Sequence, residues 1–187
     1  MQRNLYVSES QNQRKRTYAI VVLLPQDLDE LIYPIREKFD PNYNKVPGHV
    51  TVVFPFDSRA SFNELSAVIS YQLQNVEPFE IELDSIADFY PHSPIIYWQV
   101  KPCEALQKLY RNLHAKLDLP IPFSNYLPHV TVAREISGHR LMLVKERIVP
   151  DLPQEKFKVL SLDLIIPIVG DRWVSARTFS LESPDNK

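Results

Sequence analysis

Three glycines in 187 residues are too few for the loops that usually cradle nucleotide phosphates, and neither GxxxxGK[ST] nor GxGxxG occurs. Hydrolysis of the P-loop kind is thereby set aside. A single cysteine, Cys103, excludes an internal disulfide and fits a reducing compartment. It stands at the start of an expected helix, where a thiol pKa can fall. No histidine lies near it in sequence, so a structural role is expected. No excess of one charge exists either: 21 Lys and Arg face 23 Asp and Glu, and the net charge of −2 offers no global field for long nucleic acid. An anionic substrate must therefore be held by a local cluster. The longest clean apolar run, Tyr18 to Leu24, is far too short to span a bilayer. The N-terminus lacks the charged-then-apolar pattern of a leader, so the cytoplasm is the expected location.

The apolar content, 44%, is that of an ordinary globular chain, and its pattern repeats. Residues 1–16 and 183–187 are polar and aperiodic and read as tails, with Arg14-Lys15-Arg16 a solvated flank. Between them, 17–182 is expected to form one bilobal domain. Tyr18 to Leu24 has a buried-strand pattern, followed by a helix with Leu28, Leu31, Ile32, Ile35 and Phe39 on one face. Pro34 inside that stretch is expected to kink or divide it. A strand at His49 to Phe54, a helix over 61–74 and a strand from Phe79 to Tyr90 complete the unit. The order then recurs: strand Ile95 to Lys101, helix 103–118, strand His129 to Ala133, and a helix near 138–148. Strands Lys158 to Val169 and Trp173 to Leu181 finish the chain. The landmarks keep step, with Tyr18 to Tyr97 separated by 79 residues, His49 to His129 by 80 and Phe79 to Phe157 by 78. The pattern predicts an α+β fold of two pseudo-symmetric β-α-β-α-β lobes. Their antiparallel-rich sheets are expected to face each other across a central cleft, and the lobes to share strands.

Each half carries the same tetrapeptide, His49-Val50-Thr51-Val52 and His129-Val130-Thr131-Val132. Residues i and i+2 of a strand share a face, so each histidine projects with its threonine while the valines pack behind. Facing lobes would then bring two imidazoles and two hydroxyls into one pocket. Displacement at a phosphodiester needs a base on the entering oxygen and an acid on the leaving one, and two histidines supply both near neutrality. Threonine hydroxyls can donate to the non-bridging oxygens. A lone histidine in a strand is commonly an ordinary residue, and threonine is a good strand former. Duplication at matching positions is what points to chemistry. Two histidines without Asp, Glu or Cys beside them fall short of the usual zinc set, so no metal and no cofactor is expected.

The segments KVPGHVTVVFPF and NYLPHVTVAREI resemble the paired H-x-[TS]-x motifs of the 2H phosphoesterase superfamily, in its 2′-5′ RNA ligase-like branch. The likeness runs from about Thr17 to Leu181. It implies that His49 and His129 are the acid/base pair and that Thr51 and Thr131 contact phosphate. It further implies hydrolysis of 2′,3′-cyclic phosphates, or joining and cleavage of 2′-5′ RNA linkages, with an RNA terminus or small nucleotide as partner. Gly48 before His49 departs from the proline that often stands there, as Pro128 does before His129, and is expected to loosen the first strand's start.

Around the motifs, Arg134 is a candidate phosphate contact despite falling on the opposite strand face in a regular pleat. Tyr43, Phe56 and Tyr126 are candidate stacking residues for a base, against the ordinary alternative of core or rim aromatics. Lys45 and Arg59 are candidate rim charges. His114 is expected at the surface, His92 in a turn and His139 at a loop-to-helix junction. A monomer without membrane contact is expected. Two further classes remain open: a module that grips a nucleotide or RNA end without turnover, and a metal-dependent hydrolase, which a chelator would stop.

Overall fold

The computed structural model describes residues 15–181. The expected tails at 1–16 and 183–187 lie outside the described residues, except for Lys15 and for Arg16, which opens the first strand. The elements follow in the order β1 (Arg16–Leu23), α1 (Gln26–Phe39), β2 (His49–Ser58), α2 (Phe62–Leu73), β3 (Phe79–Asp88) and β4 (Ile96–Val100). After them come α3 (Glu104–Lys116), β5 (His129–Ala133), α4 (Gly138–Ile148), β6 (Glu155–Val159), β7 (Ser161–Pro167) and β8 (Trp173–Ser180). Among the described residues, no helix is long and apolar enough to cross a membrane.

Local chemistry sets these boundaries. Helix α2 opens with a capping box, in which Ser61 accepts from the Glu64 N–H and the Glu64 carboxylate accepts from the Ser61 N–H. Pro34 does not divide α1. It sits on the exposed side of the helix, where water can hydrate the carbonyl that its ring leaves unbonded.

All strand pairs are antiparallel, and together they form one sheet in the order β6-β3-β4-β5-β2-β1-β7-β8. The α+β class with two related halves is as expected, and the halves are joined edge to edge. The seam is the single pair Val50↔Val130 between the two motif strands. On either side lie four strands, β5-β4-β3-β6 and β2-β1-β7-β8.

The stretch expected as one strand, 158–169, is two. Glu155–Val159 completes one edge of the sheet beside β3, Leu160 alone turns the chain, and Ser161–Pro167 begins on β1. Six strand spacings of ~4.8 Å would separate β6 from β7 in a flat sheet, about 29 Å. Two Cα steps reach only about 7.6 Å. The sheet must therefore curl strongly, and its curl creates the cleft. Alternation then sorts the side chains. Tyr18, Ile20, Val22, Val50, Val52, Trp98, Val130, Val132, Leu162 and Leu164 join the helices' apolar stripes in one core. The other face opens onto the cleft. It presents His49, Thr51, His129 and Thr131 near the seam, and a small apolar group at Ala19, Val21 and Ile165.

Candidate active site

The cleft on the open face has a volume of about 770 Å³ and is lined by His49, Thr51, His129 and Thr131 together. Each imidazole is tethered in the same way. His49 Nδ1 lies 2.7 Å from the Pro47 carbonyl, and His129 Nδ1 lies 2.8 Å from the Leu127 carbonyl. A carbonyl only accepts, so Nδ1 carries the hydrogen in both rings. Nε2 is left as the nitrogen available for proton transfer, an arrangement that fixes tautomer and ring orientation.

The strand start before His49 is not loose. Gly48 donates its N–H to Asp29 Oδ1 at 2.7 Å, and its carbonyl accepts from the Leu24 N–H at 2.9 Å. A Cβ at this position would meet Asp29 Oδ1 and Ile32 Cδ1 at 2.7 Å. A side chain here would push aside these side-chain ends where α1 approaches closely, and proline would also remove the N–H that Asp29 accepts.

The two histidines have unlike neighbours. His129 rests against Phe89 and Tyr97, each ring centroid 5.0 Å away, and these two rings stack at 4.2 Å. His49 faces cations. Its pKa is lowered to about 4, chiefly by burial and also by the charges of Arg36, His129 and Arg134, against the raising effect of the Pro47 bond. Burial lowers the His129 pKa as well, opposed by the Leu127 bond and aided by Arg134.

Arg134 reaches the cleft because the pleat is not regular. Ile96 pairs with Ala133 but Tyr97 with Thr131, so a bulge in β5 leaves Val132 and Ala133 both buried and returns residue 134 to the open face. Its N–H donates to the Phe39 carbonyl at 2.9 Å, and Nε lies 3.8 Å from Asp40 Oδ1. Asp40 is shared with Arg36, whose Nε donates to Oδ2 at 3.1 Å and whose Nη2 donates to the Val46 carbonyl at 2.9 Å. A similar bulge in β2 buries Val52 and Val53 and turns Phe54 into the cleft. Phe54 and Arg134 each follow their histidine by five residues.

Of the candidate aromatics, only Tyr126 lines the cleft, and it does so as a brace. It is buried, stacked on Tyr110 with centroids at 4.2 Å and planes 2° apart, and its hydroxyl donates to the Thr51 carbonyl at 2.6 Å. Burial raises its pKa. Gln107 Nε2 donates to the Tyr126 carbonyl at 2.7 Å, so α3 holds this residue against the first motif strand. Tyr43 and Phe56 lie elsewhere. Tyr43 packs edge-on to Tyr33 of α1 at 5.8 Å. A second register shift in β2 sets Phe56 opposite Tyr18 on the core side, with centroids 5.9 Å apart.

Lys45 lines the cleft and Arg59 does not. His92 is in a turn as expected, but that turn forms part of the cleft wall. His114 is buried rather than exposed, with Nδ1 2.7 Å from the Tyr110 carbonyl. His139 is exposed in the first turn of α4. Cys103 precedes α3 with Sγ 3.9 Å from the Glu80 carbonyl, and it does not line the cleft. Arg36, Asp40, Phe89 and Tyr97 were not singled out from the sequence. One signal was available: Arg36 falls on the same face of α1 as Ile32 and Ile35, where a charge must find a buried partner.

Residues 24–170 match the family model of the 2′-5′ RNA ligase superfamily. By that match the chain belongs to this superfamily, within the 2H phosphoesterases. A candidate phosphoesterase of Geobacillus kaustophilus is 28% identical over 65% of this chain and 70% of its own. One from Halalkalibacterium halodurans is 26% identical over 88% of this chain and 96% of its own. Among solved structures, Escherichia coli LigT complexed with 3′-AMP superposes with a TM-score of 0.65 at 17% identity, covering 91% of this chain and 100% of LigT. TT0787 of Thermus thermophilus gives 0.65 at 16% identity, covering 90% and 99%. At such identities these two structures speak for the fold.

Proposed function

We propose that this chain is a phosphodiesterase that opens 2′,3′-cyclic phosphates at RNA ends or in small nucleotides. In this proposal two histidines act as acid and base without a metal, and the same groups support the related 2′-5′ RNA ligation. The observation that carries it is the pair of imidazoles in one cleft, each with Nδ1 tethered to a carbonyl and Nε2 free. Among the described residues, no three His, Cys, Asp or Glu side chains are grouped to hold a metal ion.

One Nε2 takes a proton from water as its oxygen attacks phosphorus in line. The other Nε2–H protonates the ribose oxygen as its bond to phosphorus breaks. Thr51, Thr131 and Arg134 hold the non-bridging oxygens, where negative charge must be stabilised. The unlike surroundings favour His49 as base, since burial and two guanidinium charges keep it neutral. His129, beside aromatic rings, is the acid.

The pH dependence follows from these roles. The value of kcat/KM rises with pH through about 4 as His49 loses its proton. It falls again as His129 loses its own, below the ordinary 6.5. The result is a bell with its maximum on the acid side of neutrality. The test is hydrolysis of a 2′,3′-cyclic nucleotide and of a short RNA ending in a 2′,3′-cyclic phosphate, with EDTA present, by wild type, His49→Ala and His129→Ala. Turnover by wild type that both variants lose supports the proposal. Nucleotide binding without turnover, weakening steadily as pH rises, would instead make the chain a binding module. Turnover that EDTA abolishes would make it a metal-dependent hydrolase.

A further inference from the structure

Resting on that proposal, we infer that Trp173 and the apolar patch beneath it form a subsite for a nucleobase of the substrate, on the His49 side of the cleft. Ala19, Val21 and Ile165 are a separate apolar cluster on the open face, packed with Leu23, Val46 and Trp173 and apart from the main core. The three buried members are 1–4% exposed, so they back the indole rather than meet solvent themselves. Trp173 is half-buried, lines the cleft and has no aromatic partner among the described residues. Its backbone is fixed by an N–H bond to the Lys45 carbonyl at 2.6 Å and by pairing with Pro167.

The opposite wing differs. Phe89 there is already stacked on Tyr97 and set edge-on against His129. A rigid indole backed by aliphatic groups, with no ring of its own to stack on, is what a flat aromatic ligand needs.

Distance and charge agree with this occupant. Thr51 pairs with Val21, Val21 with Asp163 and Pro167 with Trp173, so the apolar patch on β1 and β7 lies one to two strand spacings from the strand of the phosphate-facing hydroxyl, and Trp173, on β8, lies three. That is about 5–10 Å to the patch and about 14 Å to the strand of the indole, a span that a ribose, a base over the patch and the indole ring fill together. Lys45 and Asp171 line this part of the cleft with opposite charges, and the apolar cluster offers no donor, so a second phosphate finds no net attraction there. The cleft volume of about 770 Å³ is of the size that houses an extended ligand rather than phosphate alone.

The test uses fluorescence. The chain has two tryptophans, and Trp98 is fully buried in the core, so a change on binding reports Trp173. The full chain is titrated with inorganic phosphate, with ribose 5-phosphate and with a nucleoside 2′-monophosphate, and affinities are also read by calorimetry for Trp173→Ala and Trp173→Phe. In wild type the nucleotide alone is expected to quench strongly and to bind more tightly than the two base-free phosphates. Trp173→Ala should weaken nucleotide binding about tenfold or more, leave phosphate binding unchanged and lose the preference, while Trp173→Phe keeps most of it. Nucleotide affinity unchanged in Trp173→Ala, with phosphate still bound, overturns the subsite and leaves the proposed function standing. Equal loss of phosphate and nucleotide overturns it as well, because Trp173 is then structural. If wild type binds neither phosphate nor nucleotide, the proposed function fails and the subsite with it.

Discussion

The two halves of the sheet hold their histidines identically and surround them differently. The shared part is the tetrapeptide, the following bulge and the bond from Nδ1 to the carbonyl two residues back. The differing part lies outside it. Gly48 tied to Asp29 corresponds to Pro128, Phe54 corresponds to Arg134, and the cations near His49 contrast with the rings against His129. A strand pattern that repeats fixes where an imidazole points. Residues from other elements decide what proton chemistry it can do.

The largest test of this contrast is removal of either ring. His49→Ala and His129→Ala should each lower kcat by about 10²–10⁴-fold. The double variant should be hardly worse than either single one, because acid and base act as a unit. If one histidine proves dispensable for turnover, the halves are not complementary.

Making the first half imitate the second is the next largest effect. Gly48→Pro removes the charge-assisted bond to Asp29 and overpacks against Ile32. It should cost about 3 kcal/mol in denaturant unfolding, whereas Pro128→Gly should cost less than half as much. Equal costs would mean that the Asp29 tether contributes little.

Arg134→Gln should raise KM about tenfold, since this guanidinium is partly exposed and its contact is discounted accordingly. Its charge lowers the His49 pKa, so the acid limb of the pH profile should move to higher pH in this variant. A limb that stays in place would assign it to another group. The smallest effect is expected for Tyr126→Phe. It keeps the stack on Tyr110 and loses the bond to the Thr51 carbonyl, costing about 1 kcal/mol of stability. Turnover should fall further than phosphate affinity does, because the bond joins the loop before His129 to the strand of His49.

Much of this architecture was legible. Apolar stripes at helical spacing located α1 to α3, the order of the repeat placed α4, and the duplicated HVTV marked the seam. Three things were not. Bulges leave no mark when the extra residue is as apolar as its neighbour, as with Val52-Val53 and Val132-Ala133, so a regular pleat puts Arg134 on the wrong face and hides that Phe54 reaches the cleft. The turn at Leu160 was hidden because apolar residues run on through KVLSLDLIIP with no glycine or proline at the corner, while the chain changes partner strand. The Arg36–Asp40 pair, one helical turn apart, is joined by Arg134 from more than ninety residues away, and only packing brings that third member in. Buried His114 follows the same rule: a polar ring on an apolar helix face found a carbonyl four residues earlier.

The crossing at Leu160 makes each half of the sheet depend on the other half of the chain. The sequence halves divide near residue 92, yet each four-stranded half of the sheet contains strands from both: β3 sits between β4 and β6, and β7 and β8 complete the half that holds β1 and β2. A single repeat expressed alone would expose the edges on which its missing strands belong. The two repeats therefore complete each other's sheets: each lends the other the strands that close its edge, and neither carries a finished sheet of its own.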